Sequence, residues 1–409
     1  MKLLAKLSRV TNPGRTFIPQ IDGLRFVAIM GVIACHARDF VIFHHGLPVY
    51  QSTGPVDRTL EAGHYGVQLF FAISGFILAL PFAKRMLSNE ANSLRLKDYY
   101  LRRITRIEPP YIIHLIFLFL LSALIFRRLP PDVHYSLSQN SHWLGYVGSH
   151  LLASLIYSSG FIFGGHPALN IVLWSLEIEV QFYLVAPLLA QVFRISSARK
   201  RRAIIAAGMI VASVLSTDIN KGIFSGTWLL AHIQYFLAGF LLVDFYLTKT
   251  FSFSARGFRW DLVSLAVFAL IVSVGQSVWS FYLFPWAILI GCLAGFHGRA
   301  GSWFLSRPLI ATVGGMCYTI YMYHYHLLSV AMRAAIPFET NILWQDLIIQ
   351  YLIVAVLIVL VCSALFAVFE RPFMRRDWPA RFWSFIRRKE VAVTPAGLAP
   401  QQAEAPVER

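Results

Sequence analysis

The chain predicts an all-α fold: a polytopic membrane bundle of about ten transmembrane helices, with both termini on the cytoplasmic side. Three observations carry this. Of the 409 residues, 57% are hydrophobic and 14% charged, with a mean hydropathy of +0.60. A soluble globular chain carries about 25% charged residues, and a soluble fold cannot hide so much apolar surface, so an ordinary soluble enzyme is excluded. The apolar residues are also gathered into roughly ten runs of span length, separated by charged or turn-rich gaps. Finally, the positive charge is one-sided. The net +16 would suggest nucleic acid in a soluble protein. Here the basic residues fall in alternate gaps, so the expected partner is the lipid bilayer and no nucleic acid is expected.

In order, the runs lie near 24–45, 66–86, 111–126, 170–193, 203–218, 227–247, 261–275, 279–297, 309–332 and 344–369. Residues 1–18 form a cytoplasmic N-terminal segment. Arg9, Asn12 and Arg15 interrupt any early apolar stretch, so no cleavable signal peptide is expected and the first run is retained as a span. With the N-terminus inside, 30 of the 36 Lys and Arg fall in inner segments. The other 6 (Arg38, Arg58, Arg127, Arg128, Lys221 and Arg333) fall in or near outer ones. Residues 142–163 are apolar enough for another crossing, but that crossing would put the RKRR run at 199–202 outside. They are expected instead as an interfacial or re-entrant helix in a long outer loop. The membrane domain covers 19–373. The remainder, 374–409, is basic as far as Lys389 and then Ala/Pro-rich, a disordered cytoplasmic tail. Cys35, Cys292, Cys317 and Cys362 each sit in an apolar run without a CxxC pair, and read as small core residues.

Ionisable groups inside spans are costly, about 2.5–3.5 kcal/mol each on insertion scales, and are therefore functional candidates. In the first run Arg25 and His36 are eleven residues apart, about three helical turns, so they share a face about 16 Å apart along the axis. Asp22 is a candidate partner for Arg25. His36 has two readings, a hydrogen bond to a neighbouring helix or a site. In KDYYLRRITRIEPPY at 97–111, Arg103 and Arg106 share a face, Arg102 lies alongside, and Pro109-Pro110 marks a helix break. The pair suits a phosphate-bearing cytosolic ligand, with anchoring to anionic lipid as the plainer alternative. In the fourth run Glu177 and Glu179 point about 200° apart and cannot share one small site on a regular helix. Glu179 pairs with Tyr183 at i,i+4 and Trp174 with Glu177 at i,i+3; a structural ion pair to Arg25 or another basic residue is the alternative to an active role. In the ninth run Tyr318, Tyr321 and His324 recur at three-residue intervals. No HxxxH or HExxH pair occurs, so no metal is expected. No Walker loop, GxGxxG or GxSxG appears either, against an ATPase, a dinucleotide enzyme or an elbow hydrolase.

Six pieces, in order over about 19–373, resemble the acyltransferase-3 family of multispanning bacterial membrane proteins. They are IDGLRFVAIMGVIACHA, FFAISGFIL at 70–78, RRITRIEPPY, LWSLEIEVQFYL, YTIYMYHYHLL and FERPF at 369–373. The family's Arg-x10-His motif maps onto Arg25 and His36, and its RxxR motif onto Arg103 and Arg106. Its WSLxxExxFY pattern maps onto Trp174, Ser175, Glu179, Phe182 and Tyr183, with Glu177 at a position that is often small or polar. Its YLWHxP segment maps onto Tyr321, Met322, Tyr323 and His324, but His326 replaces the proline.

The resemblance implies an O-acyltransferase of the bacterial cytoplasmic membrane. It would move acetyl, or another acyl group, from cytosolic acyl-CoA to a hydroxyl of a cell-surface or exported polysaccharide or glycolipid, with no bound cofactor. An imidazole with its ordinary pKa near 6.5 suits His36 to act as base or as transient acyl carrier. Glu179 would orient the imidazole or the acceptor, and Arg103, Arg106 and Arg25 would hold the donor. Trp174, Ser175, Glu177, Tyr183, Tyr321 and His324 would line or support the acceptor site. A macrolide-like acceptor and a proton-coupled exporter of sugars are the competing readings.

Overall fold

The computed structural model of the protein describes residues 17–49, 53–88, 95–127, 143–219, 228–251, 257–275, 277–340, 342–375 and 377–379, with the single positions 7 and 384. The expected tail beyond Lys389 and most of the segment 1–18 lie outside the described residues. Among the described residues the fold is helical, without strands.

Helix α1 is Pro19–His44; α2 is Pro55–Glu61 and α3 is Gly66–Leu87. They are followed by α4 Leu96–Arg127, α5 Trp143–Leu155 and α6 Ser159–Phe163. After a 3-10 turn, Ile171–Leu173, comes α7 Trp174–Leu189, then α8 Ala198–Ile219 and α9 Ile233–Leu247. The C-terminal half contributes α10 Phe258–Val274, α11 Ser280–His297, α12 Arg299–Leu305 and α13 Pro308–Gly315. Last are α14 Cys317–Ala335 and α15 Leu343–Leu365, which runs into a π-helical turn at Phe366–Glu370.

Among the described residues the apolar runs lie on helix, but only 6 helical stretches there are long and apolar enough to cross a membrane. These are Pro19–His44, Pro55–Leu87, Leu96–Ile125, Ile171–Arg194, Ser280–His297 and Leu343–Met374. The others miss for visible reasons. Helix α8 opens on Arg199, Lys200, Arg201 and Arg202, and α14 is studded with Tyr and His. Helices α9 and α10 have 15 and 17 residues, short of the about 20 a bilayer needs. The 142–163 stretch is two helices of 13 and 5 residues broken at Tyr157, whose φ is +54°. Neither is long enough to cross.

The sequence expectation of a break at Pro109-Pro110 is corrected: α4 runs through both prolines. A proline at 109 frees the carbonyl of residue 105, and the Trp378 indole donates to it, Nε1 to Thr105 O at 2.9 Å. The helix stays whole because a distant side chain replaces the lost bond.

Helix α1 is the hub, touching α2, α3 and each of α11 to α15. Small residues allow the closest approaches, as expected where lipid offers no hydrophobic drive between helices. A side chain on Gly314 would strike the Asp22 carbonyl of α1, and Gly75 and Gly239 interlock α3 with α9 against the carbonyls of Phe236 and Ala72. Buried ion pairs add fixed points. Arg38 holds Asp57 at 2.5 Å, tying α1 to α2. Asp244 on α9, fully buried, receives both Arg201 and Arg202 from α8. The buried apolar residues form two clusters, one centred on α3, α7, α9 and α11, the other on α1, α14 and α15.

Gly239→Leu should separate α3 from α9, because its first added carbon meets backbone rather than a movable side chain. Overpacking of this kind costs about 1–3 kcal/mol, so a lowered melting temperature in detergent is expected, with the Gly208→Leu protein, whose neighbour is only the Leu237 side chain, much closer to wild type.

Candidate active site

The two clusters leave a cavity of about 120 Å³ where they meet: Phe71, Leu78 and Tyr183 of the first line it with Leu176 and Tyr321 of the second. Five helices and the π-helical turn bring polar groups to it. From α1 comes Arg25, whose Nη1 donates to Asp22 Oδ1 at 2.6 Å. Asp22 is therefore the partner of Arg25, as the i,i+3 spacing suggests. The continuous helix α4 turns Arg103 and Arg106 to the same cavity. The Arg103 guanidinium lies over the rings of Tyr99 and Tyr183, 5.4 and 5.8 Å from their centroids, and its Nε is buried with no hydrogen-bond partner among the described residues. Three arginines thus converge on one space, more than positive-inside anchoring requires.

Helix α7 presents Ser175, Glu179 and Tyr183 at four-residue intervals, one stripe on one face. Glu179 Oε1 accepts from Ser74 on α3 at 2.7 Å and from the Tyr183 hydroxyl at 2.6 Å. The Tyr321 hydroxyl on α14 donates to the Val172 carbonyl, which leaves Ser175 to donate to Tyr321 across 2.5 Å. The opposite side of α7 does different work. Glu177 is buried and accepts backbone N–H groups of Ser159 and Gly160 at 3.1 and 3.0 Å. It caps α6 and stays out of the cavity, in keeping with the 200° divergence of the two glutamates. Trp174 also lies outside the cavity lining, among the rings of His232, Phe71 and His166.

His36 sits one layer beyond the cavity. Its ring packs on His324 and Tyr325, with centroids 5.5 and 5.4 Å apart, and His324 packs in turn on Tyr321 at 5.8 Å. His324 is fully buried, and its Nδ1 faces the Tyr321 carbonyl at 2.8 Å. A carbonyl only accepts, so Nδ1 carries the proton and Nε2 presents a bare lone pair. That Nε2 has no hydrogen-bond partner among the described residues. The structure does not bring Glu179 to His36: the Glu179 bonds go to Ser74 and Tyr183, and the groups beside His36 are His324 and Tyr325.

Three polar lining residues escaped the sequence reading. Glu370, from the π-helical turn, lines the cavity and accepts from Thr319 N and Oγ1 at 3.1 and 2.6 Å. Ser74 holds Glu179. Cys317, taken as core, lines the cavity too. Glu370 and Ser74 lie inside FERPF and FFAISGFIL, so their signal was present in the motifs.

The family model described as an acyltransferase domain matches residues 18–367. The chain belongs to the acyltransferase-3 family. Among curated relatives, the chain is 28% identical over 191 residues to peptidoglycan O-acetyltransferase OatA of Listeria monocytogenes, covering 46% of this chain and 26% of that protein. It is 23% identical over 416 residues to O-acetyltransferase OatA of Staphylococcus aureus, covering 94% of this chain and 61% of the relative. A putative O-acetyltransferase of S. aureus strain COL is 22% identical over 342 residues, 76% of this chain and 51% of its own. The chain thus spans less than two thirds of the length of each. No solved structure matches it. Family membership and these relatives support O-acyltransferase activity in an integral membrane protein.

Tyr321→Phe removes the hydroxyl that serves both the Val172 carbonyl and Ser175. Leaving a buried polar group unpaired costs about 1–3 kcal/mol, so thermal melts should show a loss of that order, and the added Ser175→Ala change should recover part of it.

Proposed function

We propose that this acyltransferase moves an acetyl group from acetyl-CoA on the cytosolic side to a hydroxyl of a cell-surface or exported polysaccharide or glycolipid. The observation that carries the reading is the convergence of Arg25, Arg103 and Arg106 on one cavity from which Tyr321 and His324 lead to His36. Arg103 and Arg106 hold the CoA phosphates as guanidinium forks, and Arg25 carries the donor arm toward His36, roughly 16 Å along α1. His36 takes the proton of the acceptor hydroxyl, the oxygen attacks the thioester carbonyl, and the departing thiolate leaves as free thiol with that proton. His324 supports His36, and Glu179 with Ser175 and Tyr183 shapes the cavity wall. No resident cofactor or metal takes part in this step.

The chain crosses the bacterial cytoplasmic membrane about ten times with both termini inside. The support is the distribution of 30 of 36 Lys and Arg on one side of that threading, against which an eleventh crossing would reverse the sign. The carbohydrate acceptor is supported by the Listeria relative, named for peptidoglycan.

The test is ester-acetyl NMR of surface glycan from a strain lacking the gene, complemented with wild type, His36→Ala or Arg106→Ala at matched membrane levels. Wild type should restore the ester. His36→Ala should fall by the about 10²–10⁴ that general base catalysis contributes. In proteoliposomes Arg106→Ala should raise KM for acetyl-CoA, with kcat changed less. Full restoration by His36→Ala would remove the essential histidine. No ester with wild type would overturn the glycan acceptor and favour a small-molecule acceptor or a sugar exporter.

A further inference from the structure

Away from the cavity, at the other end of α1, three segments distant in sequence bring together two imidazoles and two carboxylates. His45 is the C-cap of α1, Glu339 follows the 3-10 turn after α14, and Asp346 lies in the first turn of α15. His45 Nε2 lies 3.2 Å from Asp346 Oδ2 and 3.4 Å from Glu339 Oε1, and His44 Nε2 lies 3.3 Å from Glu339 Oε2. One donor atom each from His45, Glu339 and Asp346 fall within 4.8 Å of one another.

These spacings are longer than those of the protein's tightest arginine ion pairs. Arg25–Asp22, Arg38–Asp57 and Arg202–Asp244 close to 2.6, 2.5 and 2.5 Å, as charge-assisted hydrogen bonds do. At His45 a single Nε2 stands between two carboxylate oxygens, at the long limit of a hydrogen bond to Asp346 Oδ2 and beyond it to Glu339 Oε1. One N–H can serve both only as a shared, weakened bond. The separation instead matches that between ligands: donors about 2.0–2.1 Å from a tetrahedral ion stand about 3.3–3.4 Å apart.

The surroundings are those of a held ligand set. Asp346 is fully buried, and its Oδ1 accepts Thr340 N at 2.6 Å and Thr340 Oγ1 at 2.8 Å. Those bonds orient the carboxylate and leave Oδ2 for the shared space, the supporting role that outer partners play around metal ligands. The side chains of His45 and Glu339 are 18% and 20% exposed, which gives an ion an entry path. The two carboxylates bring the negative charge that a dication balances.

We propose that His45, Glu339 and Asp346, with a fourth position open to water, bind a Zn²⁺-type divalent cation. The mixed imidazole and carboxylate set favours zinc over Mg²⁺ or Ca²⁺, which prefer all-oxygen cages. Nine residues separate His45 from His36, about 13.5 Å of helix, so the ion clips helix ends together and takes no part in acyl transfer. It pins the C-terminal end of α1 to the start of α15 and stands independently of the acyl-transfer reading. No sequence spacing could reveal it, since each segment supplies only one kind of donor.

The experiment uses the full chain purified in detergent, stripped with chelator, then equilibrated with Zn²⁺ and desalted for metal analysis. Wild type should retain about one Zn²⁺ per chain and melt higher with it. His45→Ala and Glu339→Gln should bind at least about tenfold more weakly while melting like metal-free wild type. Both substitutions are at partly exposed positions. Co²⁺ loaded into unmutated protein should show the visible bands of a four-coordinate nitrogen and oxygen site, a readout that needs no variant. Zn²⁺ absent from wild type, retained equally by both variants, or replaced equally well by Mg²⁺ or Ca²⁺ would overturn the proposal, as would Co²⁺ without such bands.

Discussion

A charge carried on an apolar helix costs about 2.5–3.5 kcal/mol on insertion scales, and in this protein that cost organises the interior. Asp22 holds Arg25, Asp57 holds Arg38, and Asp244 holds two arginines at once. Each pair ties two helices, or two turns of one helix, where sequence distance alone would leave them unrelated. Arg103 and Arg106 are directed differently. They share a cavity with Glu179 and Glu370, and the Arg103 Nε has no hydrogen-bond partner among the described residues.

The cavity exists because two packed clusters abut without fusing. Helix α1 belongs to both, with Leu24 in one and Ile29 in the other, and its arginine lies at the seam. Gly314 lets α13 rest on α1 beside Asp22, which fixes the arginine from behind. The same helix carries His36 further along, so the separation of Arg25 and His36 is largely a property of one rigid rod. What joins them chemically comes from α14: Tyr321 faces the cavity, and one turn later His324 faces His36.

Proline and glutamate show how a local rule can be overruled or sharpened. Two adjacent prolines ordinarily end a helix, yet α4 persists because Trp378 supplies the missing donor to Thr105. The two glutamates of α7 diverge as helical geometry demands, and the divergence becomes a division of labour. Glu177 caps a neighbouring helix with two backbone bonds, while Glu179 takes two hydroxyls at the cavity wall.

Composition and periodicity by themselves determined the helical class and the order of the helices, and singled out Arg25, Arg103, Arg106, Glu179, Tyr183 and Tyr321 as candidates, because membrane burial penalises each stray polar group strongly enough to read in one dimension; Ser175 entered only through the family motif. Spacing also paired Arg25 with Asp22 and separated Glu177 from Glu179, since both are relations within one helix. Only the tertiary structure decided relations between helices: that Glu370 and Ser74 complete the cavity, that His324 rather than Glu179 adjoins His36, and that Trp378 rescues α4. It also assembled His45, Glu339 and Asp346 from three distant segments. The physical reason is the range of the forces concerned. A helix repeats every 3.6 residues and leaves that period in the sequence, whereas contacts between helices depend on how whole surfaces pack, which no local spacing records.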